Sequence, residues 1–198
     1  ADKLVPMPDS ISNVEGPLLE PATVAVHGVR RSGVRPGDNV AVLGCGTVGL
    51  LTVQAFKAAG ARVIAIDVRE QSLKLAKELG ADEIVNSRDE AVAAAKLLEL
   101  TSGIGPDIVA ETAGAKKTPR MAIEWTRRGG KTLLLGIYST TPEVNFNSVV
   151  GAEITVIGSV ATSPGDLEAA VELVHSGSIN VKPLISDIVP LSRAMEDG

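Results

Sequence analysis

Val40-Ala41-Val42-Leu43-Gly44-Cys45-Gly46-Thr47-Val48-Gly49 is the stretch whose reading decides the fold. An apolar run enters a turn spaced by glycines, a helical pattern leaves it, and a second apolar run, Val63 to Ile66, ends on Asp67. That order is what seating a nicotinamide dinucleotide requires. Gly44 permits the tight turn after the strand, Gly46 lets backbone approach the pyrophosphate with no Cβ in the way, and Gly49 lets the helix pack closely on the sheet. A helix opening at Thr47 and Val48 points unpaired N–H groups and a partial positive charge at the phosphates. A bare GxGxxG is a weak signal. Set between a strand and a helix, with an acid near the usual offset of about 20 residues, it is a strong one.

Asp67 stands where a carboxylate accepts both hydroxyls of the adenosine ribose, which favours NAD, because a 2'-phosphate beside it would be repelled. The bland alternative is a surface acid after a strand. Val68 and Arg69 follow it in the same loop, and Arg69 is able to pair with a 2'-phosphate, so NADP stays open as the second cofactor.

Composition narrows the function classes. The chain has 198 residues, 22% charged and 44% hydrophobic, with a net charge of -5, which fits one ordinary globular core rather than a disordered chain. Acids and bases are interspersed and aromatics are only 2% of residues, so neither a basic stripe nor a stacking platform offers itself to nucleic acid. Cys45 is the single cysteine, which excludes an internal disulfide and makes a cytoplasmic setting the natural expectation. No signal pattern and no apolar run of about 18 residues points to a membrane. One cysteine with His27 and His175 cannot make an ordinary zinc site, so any such site needs ligands from outside this chain.

Strand and helix alternate along the chain with short links, as in a parallel sheet covered on both faces. Residues 1–20 read as mostly irregular, and Pro21 is well placed in the first turn of a helix running to about Arg31. Strands are expected at 39–43, 62–66, 83–85, 108–110, 131–135 and 153–157. Helices are expected at 47–59, from about 70 to a stop at Gly80, and at 89–101, 118–127 and 164–176. In the helix at 47–59, Val48, Leu51, Ala55 and Ala58 make the buried face. Residues 181–198 read as a short strand and a turn. The expected fold is α/β, a doubly wound parallel six-stranded sheet, the Rossmann fold.

In such a sheet, ligands sit at the carboxyl ends of the strands. Thr112, Ala113 and Gly114 follow the fourth strand, and Gly136 and Ile137 follow the fifth. Small residues there let a cofactor lie close, with Ile137 against the nicotinamide; the alternative is a plain turn. Glu20 is either a solvated acid favoured at the positive end of a helix or part of a polar site. His27 reads as a surface or packed histidine, His175 as a partner of a helix C-terminus, and Asp107, Glu111 and Arg127 as structural or solvated. No residue is assigned a catalytic role, and neither G-x-S-x-G nor a P-loop motif is present.

These features together resemble the medium-chain dehydrogenases, in particular the zinc-dependent alcohol and polyol enzymes of the sorbitol and threonine dehydrogenase type. The resemblance covers nearly the whole chain. Its marks are Glu20-Pro21 with Val24-Ala25-Val26-His27-Gly28, Pro36-Gly37-Asp38, Gly44 to Gly49, Ala76 to Asp82, Gly129-Gly130-Lys131 and Gly158-Ser159. Ser72-Leu73 departs from it, since many relatives place an arginine before that leucine. The resemblance implies a dinucleotide-binding domain at 21–181, with 1–20 and 182–198 as segments crossing to and returning from a GroES-like catalytic domain.

It further implies that Glu20 supplies a carboxylate at a catalytic zinc held mostly by that other domain, and that Val24 touches the nicotinamide. The implied reaction is transfer of hydride from a secondary alcohol or polyol to NAD, zinc polarising the substrate oxygen. This chain alone is then expected to bind NAD and turn over little. Pairing of the sixth strand across a two-fold axis would give a homo-oligomer, a dimer, and cover an exposed edge. A zinc-free, NADP-dependent quinone-type reductase and a stand-alone dinucleotide-binding module are the alternatives.

Overall fold

The computed structural model describes residues 4–193. Strands β1 (Asn39–Leu43), β2 (Arg62–Asp67), β3 (Glu83–Asn86), β4 (Ile108–Glu111), β5 (Lys131–Leu134) and β6 (Thr155–Gly158) form one sheet. Its order is β3-β2-β1-β4-β5-β6, and every neighbouring pair is parallel. The chain runs outward one way from β1 and then restarts at β4 on its other side. That reversal opens a crevice above the carboxyl ends of β1 and β4, the place where doubly wound sheets bind ligands.

Alternation along the strands sends side chains into two separate cores. Val40, Val42, Val63, Ala65, Ile108, Ala110 and Leu133 face α1 (Leu19–Ser32), α2 (Thr47–Ala58), α3 (Glu70–Glu78) and α7 (Asp166–His175). Ala41, Leu43, Ile64, Ile66, Val85 and Val109 face α4 (Glu90–Leu100) and α5 (Thr118–Trp125). Strands buried on both faces carry no polar residue inside these runs, which is why they read as continuous apolar stretches in the sequence. Gly28 lets α1 lie directly on the sheet; a Cβ there would come 2.7 Å from Leu135 Cδ2.

Several expectations are corrected. Helix α1 opens at Leu19, two residues inside the stretch expected to be irregular, and Pro21 lies in its first turn as expected, where a missing N–H costs nothing. In α2, Ala58 is exposed and Val48 half-buried, while Leu50 to Phe56 are buried continuously, because α2 is covered by the sheet on one side and α1 on the other. The strand expected at 153–157 begins at Thr155: Glu153 takes a left-handed backbone (φ 54°) that ends an unforeseen helix, α6 (Phe146–Ala152). No residue of α6 is buried, so it leaves no apolar period to read. Helix α5 stops at Trp125 because Thr126 is extended, and α7 starts after the left-handed Gly165 (φ 84°). The expected strand after Val181 is replaced by single 3-10 turns at Lys182–Leu184 and Leu191–Arg193, and residues 194–198 of that expectation lie outside the described residues.

Candidate functional site

The glycine-rich turn is fixed by what would collide if side chains were added. Gly44 adopts φ 106° and faces Ala113, whose backbone N would lie 2.8 Å from a Cβ. At Gly49 a Cβ would fall 2.0 Å from the Gly44 carbonyl oxygen, so the helix packs onto the turn itself. Gly46, the N-terminal flanking residue of α2, has an ordinary extended backbone and nothing within 4 Å of a built Cβ. Space, not crowding, surrounds it, beside the exposed Thr47 and the unpaired amides of the first helical turn. Thr112 braces the turn from β4: its Oγ1 donates to the Gly44 carbonyl at 2.8 Å.

Asp67 ends β2 with its carboxylate tied to the same turn. Oδ2 accepts from the Cys45 N–H at 2.7 Å, and Oδ1 from the Arg69 N–H at 2.9 Å and Arg69 Nε at 3.2 Å. Burial alone would raise this carboxyl, but those hydrogen bonds and the Arg69 charge outweigh it and hold it below the usual carboxylate range. The acid is therefore ionised at neutral pH although only 7% exposed, while Arg69 is 62% exposed and Val68 stands open beside them. Cys45 is the converse case. Burial, reinforced by the Asp67 charge, pushes its thiol up to about 12.

The rest of the crevice is a cleft of about 400 Å³ along the carboxyl ends of β1, β4, β5 and β6. The sequence-assigned residues Glu20, Val24, Val48, Thr112, Ala113, Gly136 and Ile137 all line it. Asp67, Val68 and Arg69 do not; they belong to the other side of the glycine turn, beyond the end of β2. Ile137 is 86% exposed. The loops after β4 and β5 interlock, since a Cβ on Gly114 would lie 2.6 Å from the Ile137 carbonyl oxygen.

Ser159, Val160 and Ala161, which follow β6, complete the cleft and were not assigned from sequence beyond the Gly158-Ser159 resemblance. Their position after a parallel strand is the signal that would have found them. Ser159 Oγ is the buried side-chain polar atom without a hydrogen-bond partner among the described residues.

His27 proves buried, its Nδ1 2.7 Å from Asp166 Oδ2, and Arg30 Nη1 donates to Asp166 Oδ1 at 2.7 Å, so the cluster ties α1 to α7. His175 lies in the last turn of α7, with Nδ1 2.6 Å from Ser10 Oγ. Asp107 and Arg127 form an ion pair of 2.7 Å below the sheet, away from the crevice.

Open space at Gly46, unpaired helix amides, an ionised carboxylate after β2 and an orphaned hydroxyl in the cleft together fit a dinucleotide. A zinc ion is a different matter. Glu20 is exposed on the first turn of α1 at the rim of the cleft, and among the described residues no three His, Cys, Asp or Glu side chains come together to hold a metal. None of the chain's helices, among the described residues, is long and apolar enough to cross a membrane.

Comparison with known proteins agrees with the geometry. L-idonate 5-dehydrogenase of Vitis vinifera is 36% identical over 185 residues, 91% of this chain and 50% of that protein. The crystal structure of 2R,3R-butanediol dehydrogenase from Bacillus subtilis superposes with a TM-score of 0.81 at 35% identity, over 88% of this chain and 50% of that one. A zinc-binding dehydrogenase of Sinorhizobium meliloti 1021, solved bound to NADP, has a TM-score of 0.83 at 32% identity, covering 91% of this chain and 54% of its own. The chain spans about half the length of the curated relatives it matches. The zinc-binding dehydrogenase family matches residues 47–176, most of the sheet and its helices, and the chain belongs to that family.

Proposed function

We propose that this chain is the cofactor-binding half of a cytoplasmic oxidoreductase that moves hydride between a secondary alcohol or polyol and NAD. The observation that carries the reading is the turn at Gly44–Gly49 locked to an ionised Asp67. Backbone amides of the first turn of α2 hold the diphosphate, and Asp67 accepts from the adenosine ribose. Thr112, Ala113, Gly136, Ile137, Val24 and Val48, which line one cleft, would enclose the nicotinamide half. The apolar side chains exclude water from the face at which hydride moves. When bound, the nicotinamide supplies the hydride acceptor or donor. Glu20, which lines the cleft, would join a metal centre whose remaining ligands would come from a catalytic domain, a reading supported by the greater length of the relatives. Residues 1–20 and 182–198 are the connections to it. Parallel edge strand β6, with Val156 exposed, is the surface through which two copies would pair.

NADP is the second reading, favoured by one feature: the exposed Arg69 guanidinium lies beside the ribose-binding carboxylate, and a relative has been solved with NADP. Calorimetric titration of NAD and NADP into the chain separates the two. Asp67→Asn is the informative variant, because its amide oxygen still accepts from Cys45 N–H whereas alanine would release the turn. NAD is expected to bind more tightly than NADP, and Asp67→Asn to narrow the gap. NADP binding at least as tightly overturns the NAD preference. No binding of either dinucleotide overturns the whole reading.

A further inference from the structure

Glu111 ends β4 with a side chain that has no solvent exposure, directly before Thr112 and Ala113 of the proposed cofactor site. Its Oε1 accepts from Ala113 N at 2.9 Å, Gly114 N at 2.8 Å and Thr118 Oγ1 at 2.7 Å. Its Oε2 accepts from the Tyr138 hydroxyl at 2.5 Å. The Glu111 carbonyl also takes the N–H groups of Leu135 and Gly136, at 2.9 and 3.1 Å. One residue thus gathers the loop after β4, the first turn of α5 and the loop after β5. Gly136 is glycine because of this arrangement: a Cβ there would sit 2.3 Å from Glu111 Oε2 and 2.7 Å from Gly114 N.

The exposed Ile137 is held between two fixed points, the Gly136 amide on the Glu111 carbonyl and the Tyr138 phenol on the Glu111 carboxylate. Burial, then the hydrogen bond to Glu111 and its charge, push the Tyr138 phenol well above the usual tyrosine range, so the phenol keeps its proton and remains the donor at any physiological pH. A loop stapled at both ends is ordered before ligand arrives, and binding then has no ordering cost to overcome.

We propose that Tyr138 and Glu111 are a positioning pair which holds Ile137 in the shape that receives the nicotinamide half of the dinucleotide, a role that rests on the dinucleotide reading above. Neither side chain touches the reacting atoms; both act through Ile137. The pair therefore affects the nicotinamide end and leaves the adenosine end, on the far side of the glycine turn, alone.

The test compares two ligands that share the adenosine diphosphate ribose moiety. Calorimetric titration of NAD and of ADP-ribose is carried out on the wild-type chain and on Tyr138→Phe, with thermal unfolding measured in parallel. Ordering one freed backbone residue at the moment of binding corresponds to a loss on the order of tenfold. NAD affinity is expected to fall by about that factor, with ADP-ribose affinity unchanged. A purely structural role would weaken both ligands in step with stability, and that result overturns the proposal, as does NAD binding unaffected by the change. Should Tyr138→Phe fail to fold, Glu111→Gln makes the same comparison: its side-chain oxygen still serves the 113 and 114 amides, while its NH2, in place of Oε2, can no longer accept from the Tyr138 phenol and ties it only by donating to the phenol oxygen. The expected shift is in the same direction and smaller, and no shift overturns the pairing. If the wild-type chain binds neither ligand, the dinucleotide reading itself has failed, an outcome distinct from wild-type binding that ignores Tyr138.

Discussion

Replacing Gly46 by alanine isolates the phosphate-binding claim from the stability of the fold. Its backbone, φ -77° and ψ -172°, suits any residue, and no protein atom lies within 4 Å of the added Cβ. Reduced freedom of the unfolded chain favours the folded state by about 0.4–1 kcal/mol. Alanine is a poorer helix N-terminal residue than glycine, which costs roughly 0.5 kcal/mol. The two nearly cancel, so the melting temperature should move by no more than about 2 °C. The methyl group instead occupies the space in front of the first turn of α2, where a phosphate oxygen would accept from the backbone. One charge-assisted hydrogen bond is worth about 1.5–3 kcal/mol, so its loss lowers NAD affinity roughly 10- to 100-fold. Gly49→Ala is the contrast: a Cβ 2.0 Å from the Gly44 oxygen must displace the turn, destabilising the chain by about 3 kcal/mol or more. Calorimetry with NAD and thermal unfolding read both quantities. A folded Gly46→Ala chain that binds NAD as wild type does would refute a phosphate seated at this turn.

Asp166 holds His27, Arg30 and the Ser163 amide together across α1 and α7; Asp166→Ala should cost about 2–3 kcal/mol by urea denaturation, and an unchanged midpoint would show the cluster to be inert. Burial alone would raise the carboxyls of Asp67, Asp82, Asp107 and Asp166, yet hydrogen bonds and ion pairs more than offset it and each is held low. A depressed folded-state value adds stability above the unfolded value near 4 and loses it as pH falls further, so urea midpoints should stay flat from about pH 7 to 5 and drop below about pH 4; a rise on acidification would contradict this. With its thiol pushed up to about 12 and buried, Cys45 should resist a thiol-specific disulfide reagent at neutral pH in the native chain and react fully once unfolded. Rapid native reaction would show that the turn opens.

The sheet and the glycine turn could be read from the sequence because they rest on local rules. Val40–Leu43 and Val63–Ile66 are buried on both faces and so are apolar at every position, and Gly44, Gly46 and Gly49 stand where a strand must turn into a helix. Helix α6 was not legible, because a helix that buries nothing has no periodic pattern, and the delayed start of β6 followed from it. Asp67 was legible as an acid after a strand; that its oxygens are already committed to Cys45 and Arg69 was not.

Glu111 shows most plainly where local reading ends. Its partners, Ala113, Gly114, Thr118 and Tyr138, come from three segments, and nothing in their spacing announces that one carboxylate serves them all. The sequence by itself determined the strand order of burial, the turn and the acid, since periodicity and glycine geometry act within a few residues. The parallel packing of β1, β4, β5 and β6 decided which loops share a cleft, and burial of a charge among them decided that Glu111 must recruit donors from each. A buried carboxylate is tolerable only when its lone pairs are filled, and only the folded chain brings the donors within reach.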